Sequence, residues 1–189
     1  MGVFGVQWNR HKILVALSIG AGLISGALRP VFMTDAALDS LIASLYHFVA
    51  TFDAQAIGNA ALFEGILRYG RALLLIWACA MLPKAHYAAL LVLYLRAMSL
   101  AFSAAMMVAA FGGTGFIYAI ALYGLQNLII MPIYAYTVYF IAKNKLGLAV
   151  KPPDNYTPVI KLAALGLAAV TAVSAIEAYV SPILFEMLM

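Results

Sequence analysis

The chain has 189 residues, of which 66% are hydrophobic and only 10% charged, and its mean hydropathy is +1.02. A soluble domain usually carries about 25% charged residues, so the deficit excludes an ordinary soluble protein and points to an integral membrane one. The net charge of +4 is no nucleic-acid footprint, because Lys and Arg fall mostly in short segments between apolar runs, where they carry topology information. Cys79 is the one cysteine, so there is no disulfide framework and no metal-type pair; its apolar setting predicts a buried, inert thiol.

Taken in chain order, the apolar runs predict an all-α, polytopic membrane protein made of a single membrane domain over residues 1–189. Five transmembrane helices are expected, at about 13–30, 66–82, 88–111, 116–142 and 162–184. All but the second are close to the ~20 residues that cross ~30 Å of hydrocarbon as a helix. The second is short from Ala72 to Leu82, which places Arg68 and Arg71 at the interface with their stems along the helix. The basic start and the Ser25-Gly26-Ala27 segment would also suit a secretory signal peptide; the reading adopted is a signal-anchor helix.

With the N-terminus inside, Arg10, Lys12, Lys84, Lys143, Lys145, Lys151 and Lys161 are cytoplasmic. Arg29, Arg68 and Arg71 are then outside, beside Asp35, Asp39, Asp53 and Glu64. This bias favours an N-in, C-out topology over the reverse.

Residues 35–65 form the one sizeable segment between spans. Leu38, Leu41, Ile42, Leu45, Phe48, Val49 and Phe52 recur at helical spacing with polar residues between them, after Thr34 as N-cap, which predicts an amphipathic helix on the outer side. Leu62, Phe63, Ile66 and Leu67 make a second apolar set after Gly58-Asn59. The face of Leu38, Leu41, Leu45, Phe48 and Phe52 suits either packing on the protein's own helices or docking of a partner.

Polar groups inside the membrane need a partner or a wet cavity. The third span carries Arg96, Ser99 and Ser103 on one face, with Arg96 near the midplane. The fourth carries Gln126, Asn127 and Pro132. The fifth carries Thr171, Ser174, Glu177 and Ser181, followed by Pro182. Arg96, Gln126, Asn127 and Glu177 are the candidate intramembrane site, supported by Ser99, Ser103, Pro132, Ser174, Ser181 and Pro182. Helical rise offsets Arg96 and Glu177 by about 10 Å along the membrane normal, beyond a simple salt bridge. Gln126, or the Leu128 carbonyl freed by Pro132, is the expected partner of Arg96.

No nucleophile–base–orienter set, phosphate-binding glycine loop or zinc motif can be assembled, so no enzyme, metal or cofactor is expected. His11, His47 and His86 fall in different segments, and Gly112-Gly113-Thr114-Gly115 reads as a tight turn between spans.

In this order, YLRAMSLAFSAAMM, GLQNLIIMP and IEAYVSP resemble the stage II sporulation protein M family, over roughly Leu67 to the C-terminus. The family has an intramembrane cation, usually lysine, where Arg96 stands. It also has a Pro-Gln-Asn segment with a proline five residues on, and a terminal Glu-Ala-Tyr-x-Ser-Pro. Leu125 replaces the first of those prolines and Pro132 keeps the second. Non-sporulation relatives look to carry a His-Gly pair and a following glutamate where this chain has Gln126, Asn127 and Ile130, so the resemblance is to the sporulation branch.

The resemblance implies a non-enzymatic scaffold in the bacterial cytoplasmic membrane, the mother-cell membrane during engulfment. Its partners would be the peptidoglycan hydrolases called stage II sporulation proteins D and P. The alternative is a small transporter or channel-like protein whose path passes Arg96, Gln126 and Glu177. Apart from membrane lipid, the expected further partner is a second copy of the chain, since Ser18, Gly22 and Gly26 and an alanine track at Ala164, Ala168 and Ala172 make small-residue faces; no nucleic acid is expected.

Overall fold

The computed structural model describes residues 10–52, 58–79, 86–143 and 156–188. Every element in these stretches is helical. They are α1 (Arg10–Leu28), α2 (Asp35–Ala50), α3 (Gly58–Cys79), α4 (His86–Ala119), α5 (Leu125–Lys143), α6 (Thr157–Ala175) and the short α7 (Ser181–Glu186). Three helical stretches are long and apolar enough to cross a membrane: Arg10–Phe32, Tyr87–Lys143 and Thr157–Glu186. Their surface fits that role, since Leu17, Ile24, Leu74, Leu128, Ile160 and Leu167 are all exposed. A soluble monomer rarely leaves so much large apolar surface in water. Lys84, Lys145, Lys151, Asp53 and the expected end of the second span at Leu82 lie outside the described residues.

Gly112 decides how the longest stretch folds. Its φ of 61° and ψ of −135° break the helical path inside α4, a backbone state that residues with a Cβ avoid. The chain turns back there, so that the Gly115 backbone lies against Met107 and Val108, and Tyr123 faces the Phe102–Met106 segment. The turn expected from the glycine cluster is thus made by one residue within it, with helix running up to it on both sides.

Small residues set the closest helix contact. α1 runs parallel to α4, with Ser18 Oγ donating to the Leu90 carbonyl at 2.7 Å. A turn further on, the α-carbon of Gly22 lies so close that a Cβ there would sit 2.5 Å from the Tyr94 carbonyl oxygen and 2.9 Å from Ala97 Cβ. Gly26 lies similarly on Met98 and Ala101. Small residues that allow such close backbone approach are what pack helices together where the surroundings are as apolar as the side chains. The Ser18–Gly22–Gly26 track is therefore occupied within the chain. α3 runs antiparallel to α6, with Gly65 on Ser174 and Leu73 on Gly166. Tyr69, Leu73, Ile76, Leu93, Ala97, Ile130, Tyr134, Val138, Val170 and Val173 form the core between α3, α4, α5 and α6. At one end of the bundle Lys12 and Lys143 both approach the Tyr139 ring, at 5.8 and 5.9 Å.

α2 begins after a 3₁₀ turn over Arg29–Phe32 and an extended Met33. Thr34 occupies the N-cap position with φ −70° and ψ 146°, but its hydroxyl makes no capping bond; its carbonyl accepts from the Ala37 and Leu38 amides instead. α2 packs on the bundle. Tyr46 donates to the Ala110 carbonyl at 2.7 Å, and Phe48 and Phe52 stack toward Phe185 at 6.2 and 4.7 Å. Gly58-Asn59 opens α3 rather than separating a second surface helix from the next span, so Leu62, Phe63, Ile66 and Leu67 belong to one continuous helix with Arg68 and Tyr69.

Two wide, π-helical turns interrupt the last helices. Ile120–Gly124 precedes α5, and Ile176–Val180 separates α6 from α7, with the Ser181 amide donating five residues back to the Ile176 carbonyl. Pro182 follows at once. A proline lacks the amide that a regular helix would aim at the carbonyl four residues earlier, and the wide turn absorbs that mismatch. Such turns aim neighbouring side chains away from the regular helical stripe. Glu177 lies inside the second, while Gln126 and Asn127 directly follow the first.

Candidate functional site

Glu177 meets Arg68. Arg68 Nη1 donates to Glu177 Oε1 at 2.5 Å, joining α3 to the wide turn before α7. A carboxylate in an apolar helix needs a partner to offset its desolvation, and the partner comes from the helix whose short apolar run had suggested that Arg68 lies at the interface. Continuity of α3 from Gly58 carries Arg68 alongside Glu177, with the arginine side chain still exposed. Two residues beyond Glu177, Tyr179 donates to Asn59 Oδ1 at 2.7 Å, a second polar link between the same segments.

Arg96 takes a different partner from the expected ones. Its guanidinium lies over the Tyr69 ring, 4.9 Å from the centroid, as a cation–π contact. Tyr69 is almost fully buried, its carbonyl accepts the Tyr134 hydroxyl at 2.7 Å, and its phenol lies within electrostatic reach of Glu177, Arg96 and Arg68. Arg96 and Glu177 thus share Tyr69 as a neighbour without pairing directly. Arg96 Nε is buried and has no hydrogen bond among the described residues.

Gln126 is fully buried and bonded elsewhere. Its amide nitrogen donates to the Leu122 carbonyl, and its oxygen accepts from Ser181 Oγ at 3.2 Å. Asn127 donates to the Tyr123 carbonyl at 2.7 Å, while its own Oδ1 is buried and unpaired. The two carbonyls lie in and just before the wide turn's end, where amide side chains can reach back four residues. The Leu128 carbonyl is not the partner of Arg96. Leu128 and Pro132 both lie on the exposed side of α5, away from the core that holds Tyr69.

The supporting residues divide. Ser181 and Ser174 are buried; Ser181 bonds Gln126, and Ser174 donates to its own Val170 carbonyl at 2.8 Å where Gly65 crosses. Pro182 is buried beside them. Thr171 bonds its own helix at Leu167, Ser99 is exposed, and Ser103 lines a separate cavity beneath α2. Leu41 and Leu45 line that cavity too, and Phe48 and Phe52 face Phe185, so the apolar face of α2 meets the protein's own helices in part, with Leu41 and Phe48 left exposed.

The chemistry available at the cluster is that of two guanidiniums, one carboxylate, two buried amides and three phenols. Among the described residues no group of three His, Cys, Asp or Glu side chains is placed to hold a metal ion. Arg68, Tyr69, Tyr134, Asn59 and Tyr179 were not legible as site residues. The one available signal was Arg68 itself, a basic residue within an apolar run that had to reach ~20 residues by extending back through it.

Among the described residues these features define an all-helical fold with three helices long and apolar enough to cross a membrane, and a polar cluster, buried in part, shared among α3 and the later helices. Comparison with family models, with curated proteins and with solved structures finds no match.

Proposed function

We propose that this chain is a non-enzymatic membrane scaffold that positions peptidoglycan-cutting hydrolases during engulfment in sporulation, as its resemblance to the stage II sporulation protein M family implies. One observation carries the reading. The three segments on which the resemblance rests are far apart in sequence, yet Gln126 bonds Ser181, and Arg96 and Glu177 share Tyr69. Motifs that converge on internal partners are what a structural core needs, whereas a catalytic site would leave a reactive group facing a substrate.

On this reading the chain crosses the membrane five times, with the N-terminus inside and α2 outside. Parallel α1 and α4, antiparallel α3 and α6, the reversal at Gly112 and the basic end near Tyr139 all support that path. Hydrolases would be met by the outward side of α2, where Asp39 and His47 are exposed.

The test is affinity purification of the tagged chain from solubilised membranes of engulfing cells. Stage II sporulation proteins D and P are expected to co-purify, and Asp39→Lys with His47→Glu should remove them while the chain stays folded in the membrane. A folded, membrane-resident chain that enriches neither hydrolase overturns the proposal.

A second reading, a small transporter or channel-like protein, is favoured by the buried, unpaired Arg96 Nε and Asn127 Oδ1. It requires flux through reconstituted vesicles that Arg96→Leu or Glu177→Gln changes. Flux that neither substitution alters rejects it.

A further inference from the structure

A cavity of about 190 Å³ opens between α2 and the α4 hairpin, lined by Leu41, Ser44, Leu45, Phe102, Ser103, Met106 and Tyr123. Of its three hydroxyl-bearing residues, Ser44 already donates from Oγ to the Ser40 carbonyl at 2.9 Å, and the others are Ser103 and Tyr123. Cavities with apolar linings do not hold water well, even at ~150 Å³. This one is also below the roughly 300 Å³ at which pockets for whole small ligands begin. Its size and open side suit part of a flexible apolar chain whose remainder lies outside.

A cation lies beside one wall of the cavity. Arg29, in the 3₁₀ turn after α1, is exposed and sits over the ring of Phe102, a wall of the cavity, at 5.7 Å. No carboxylate pairs with it among the described residues, where the one ion pair is Arg68–Glu177. A largely apolar slot, one wall of which is Phe102 with a guanidinium free of any carboxylate over its ring, is complementary to a molecule that is anionic at one end and hydrocarbon beyond. The geometry points to a bound anionic glycerophospholipid, its phosphate on Arg29 and one acyl chain lodged between α2 and α4. It would fill the gap that the incompletely seated α2 leaves, and so fasten that helix to the bundle.

The inference rests on the membrane placement proposed above, which carbonate extraction of cell membranes tests alone. The lipid site is tested by native mass spectrometry of the full chain in detergent, titrated with phosphatidylglycerol or with phosphatidylcholine of the same acyl chains. Phosphatidylglycerol should be retained about fivefold over phosphatidylcholine, the size of effect one basic residue has at an anionic lipid surface. Arg29→Gln should bring the two to parity while Arg29→Lys keeps the preference. Ser103→Trp, which fills the slot, should abolish retention of both, with thermal unfolding in detergent confirming that each variant folds. Equal retention of the two lipids by the unaltered chain overturns the site, as does a preference that Arg29→Gln leaves intact. Two chains retained with no lipid would assign the face to a second copy and likewise overturn it. A chain released by carbonate overturns the membrane placement, whereas a carbonate-resistant chain without lipid preference overturns the lipid site alone.

Discussion

Arg68 and Glu177, 109 residues apart, form a 2.5 Å ion pair that ties α3 to the wide turn at the end of α6. The pair is asymmetric. The Arg68 side chain is 51% exposed and the Glu177 side chain 19% exposed, so the carboxylate is the member that needs its partner. A long arginine can turn toward headgroups when left alone. The glutamate is held in place by the helix around it.

Removing the two partners should therefore have unequal effects. Arg68→Leu leaves the carboxylate unpaired and should destabilise the chain by about 1–3 kcal/mol. Glu177→Gln should cost less than about 1 kcal/mol, and the double substitution less than the sum. Thermal unfolding in detergent of the two single variants and the double reads this directly. Additive losses would mean that the pair contributes no coupling.

The α1–α4 contact makes a sharp contrast between two glycines. Gly22→Ala places a methyl against the Tyr94 carbonyl and Ala97, and should destabilise by about 1–3 kcal/mol through forced separation of the helices. Gly20→Ala meets nothing within 4 Å, and should be neutral or stabilising by up to about 1 kcal/mol. The same unfolding measurement separates them.

Where α3 crosses α6, a Cβ on Gly65 would lie 3.0 Å from Ser174 Cβ and 3.1 Å from its Oγ. Gly65→Ala should destabilise, and Ser174→Gly in the same chain should restore about 1 kcal/mol relative to additivity. Absence of that rescue would place the damage elsewhere than at this crossing.

Gly112 holds the hairpin in α4 through its backbone state. Gly112→Ala should cost about 1–3 kcal/mol. Gly113→Ala, where nothing lies within 4 Å and φ is ordinary, should have little effect. Comparing the two by thermal unfolding distinguishes a conformational requirement from a general preference for small residues at the turn.

The five-pass path makes opposite predictions for two exposed positions. In a Cys79→Ala background, Thr114→Cys should react with a membrane-impermeant maleimide in intact cells. Tyr156→Cys should react only after permeabilisation. Labelling of both or neither in intact cells contradicts the N-in, C-out arrangement.

Much of the architecture was legible because its cause is local. The run of apolar residues from Tyr87 onward is long and apolar enough to cross a membrane, and a segment suited to lipid must be helical because every backbone polar group there needs an internal partner. The spacing of Leu38, Leu41, Leu45 and Phe48 marks a helix with one apolar face, which α2 has. The Gly112–Gly115 cluster announced a reversal because only glycine tolerates the backbone state required there. The small residues of α1 announced a close helix contact, though whether it lay within or between chains was open until Gly22 was seen against Tyr94.

The site was legible only as a set of polar residues that had to be accounted for. Depth along straight helices separated Arg96 from Glu177, but the same reckoning sent Arg96 to Gln126, and it gave Glu177 no partner in Arg68. It could not register the two wide turns, each of which rotates the residues after it out of the regular helical stripe. Nor could it show that a ring, Tyr69, would serve as the neighbour of two charges.

By itself, then, the sequence determined the apolar character of the chain, the helical periodicities, the reversal at the glycine cluster and the presence of a costly carboxylate in IEAYVSP. Those follow from solvation and backbone sterics, which act over a few residues. The tertiary structure alone decided that Glu177 takes Arg68, that Gln126 takes Ser181, and that α2 lies on Phe185 and Ala110. Those choices depend on helix rotation and register between segments more than fifty residues apart, set jointly by packing at Gly22, Gly65 and the wide turns rather than by any one stretch of chain.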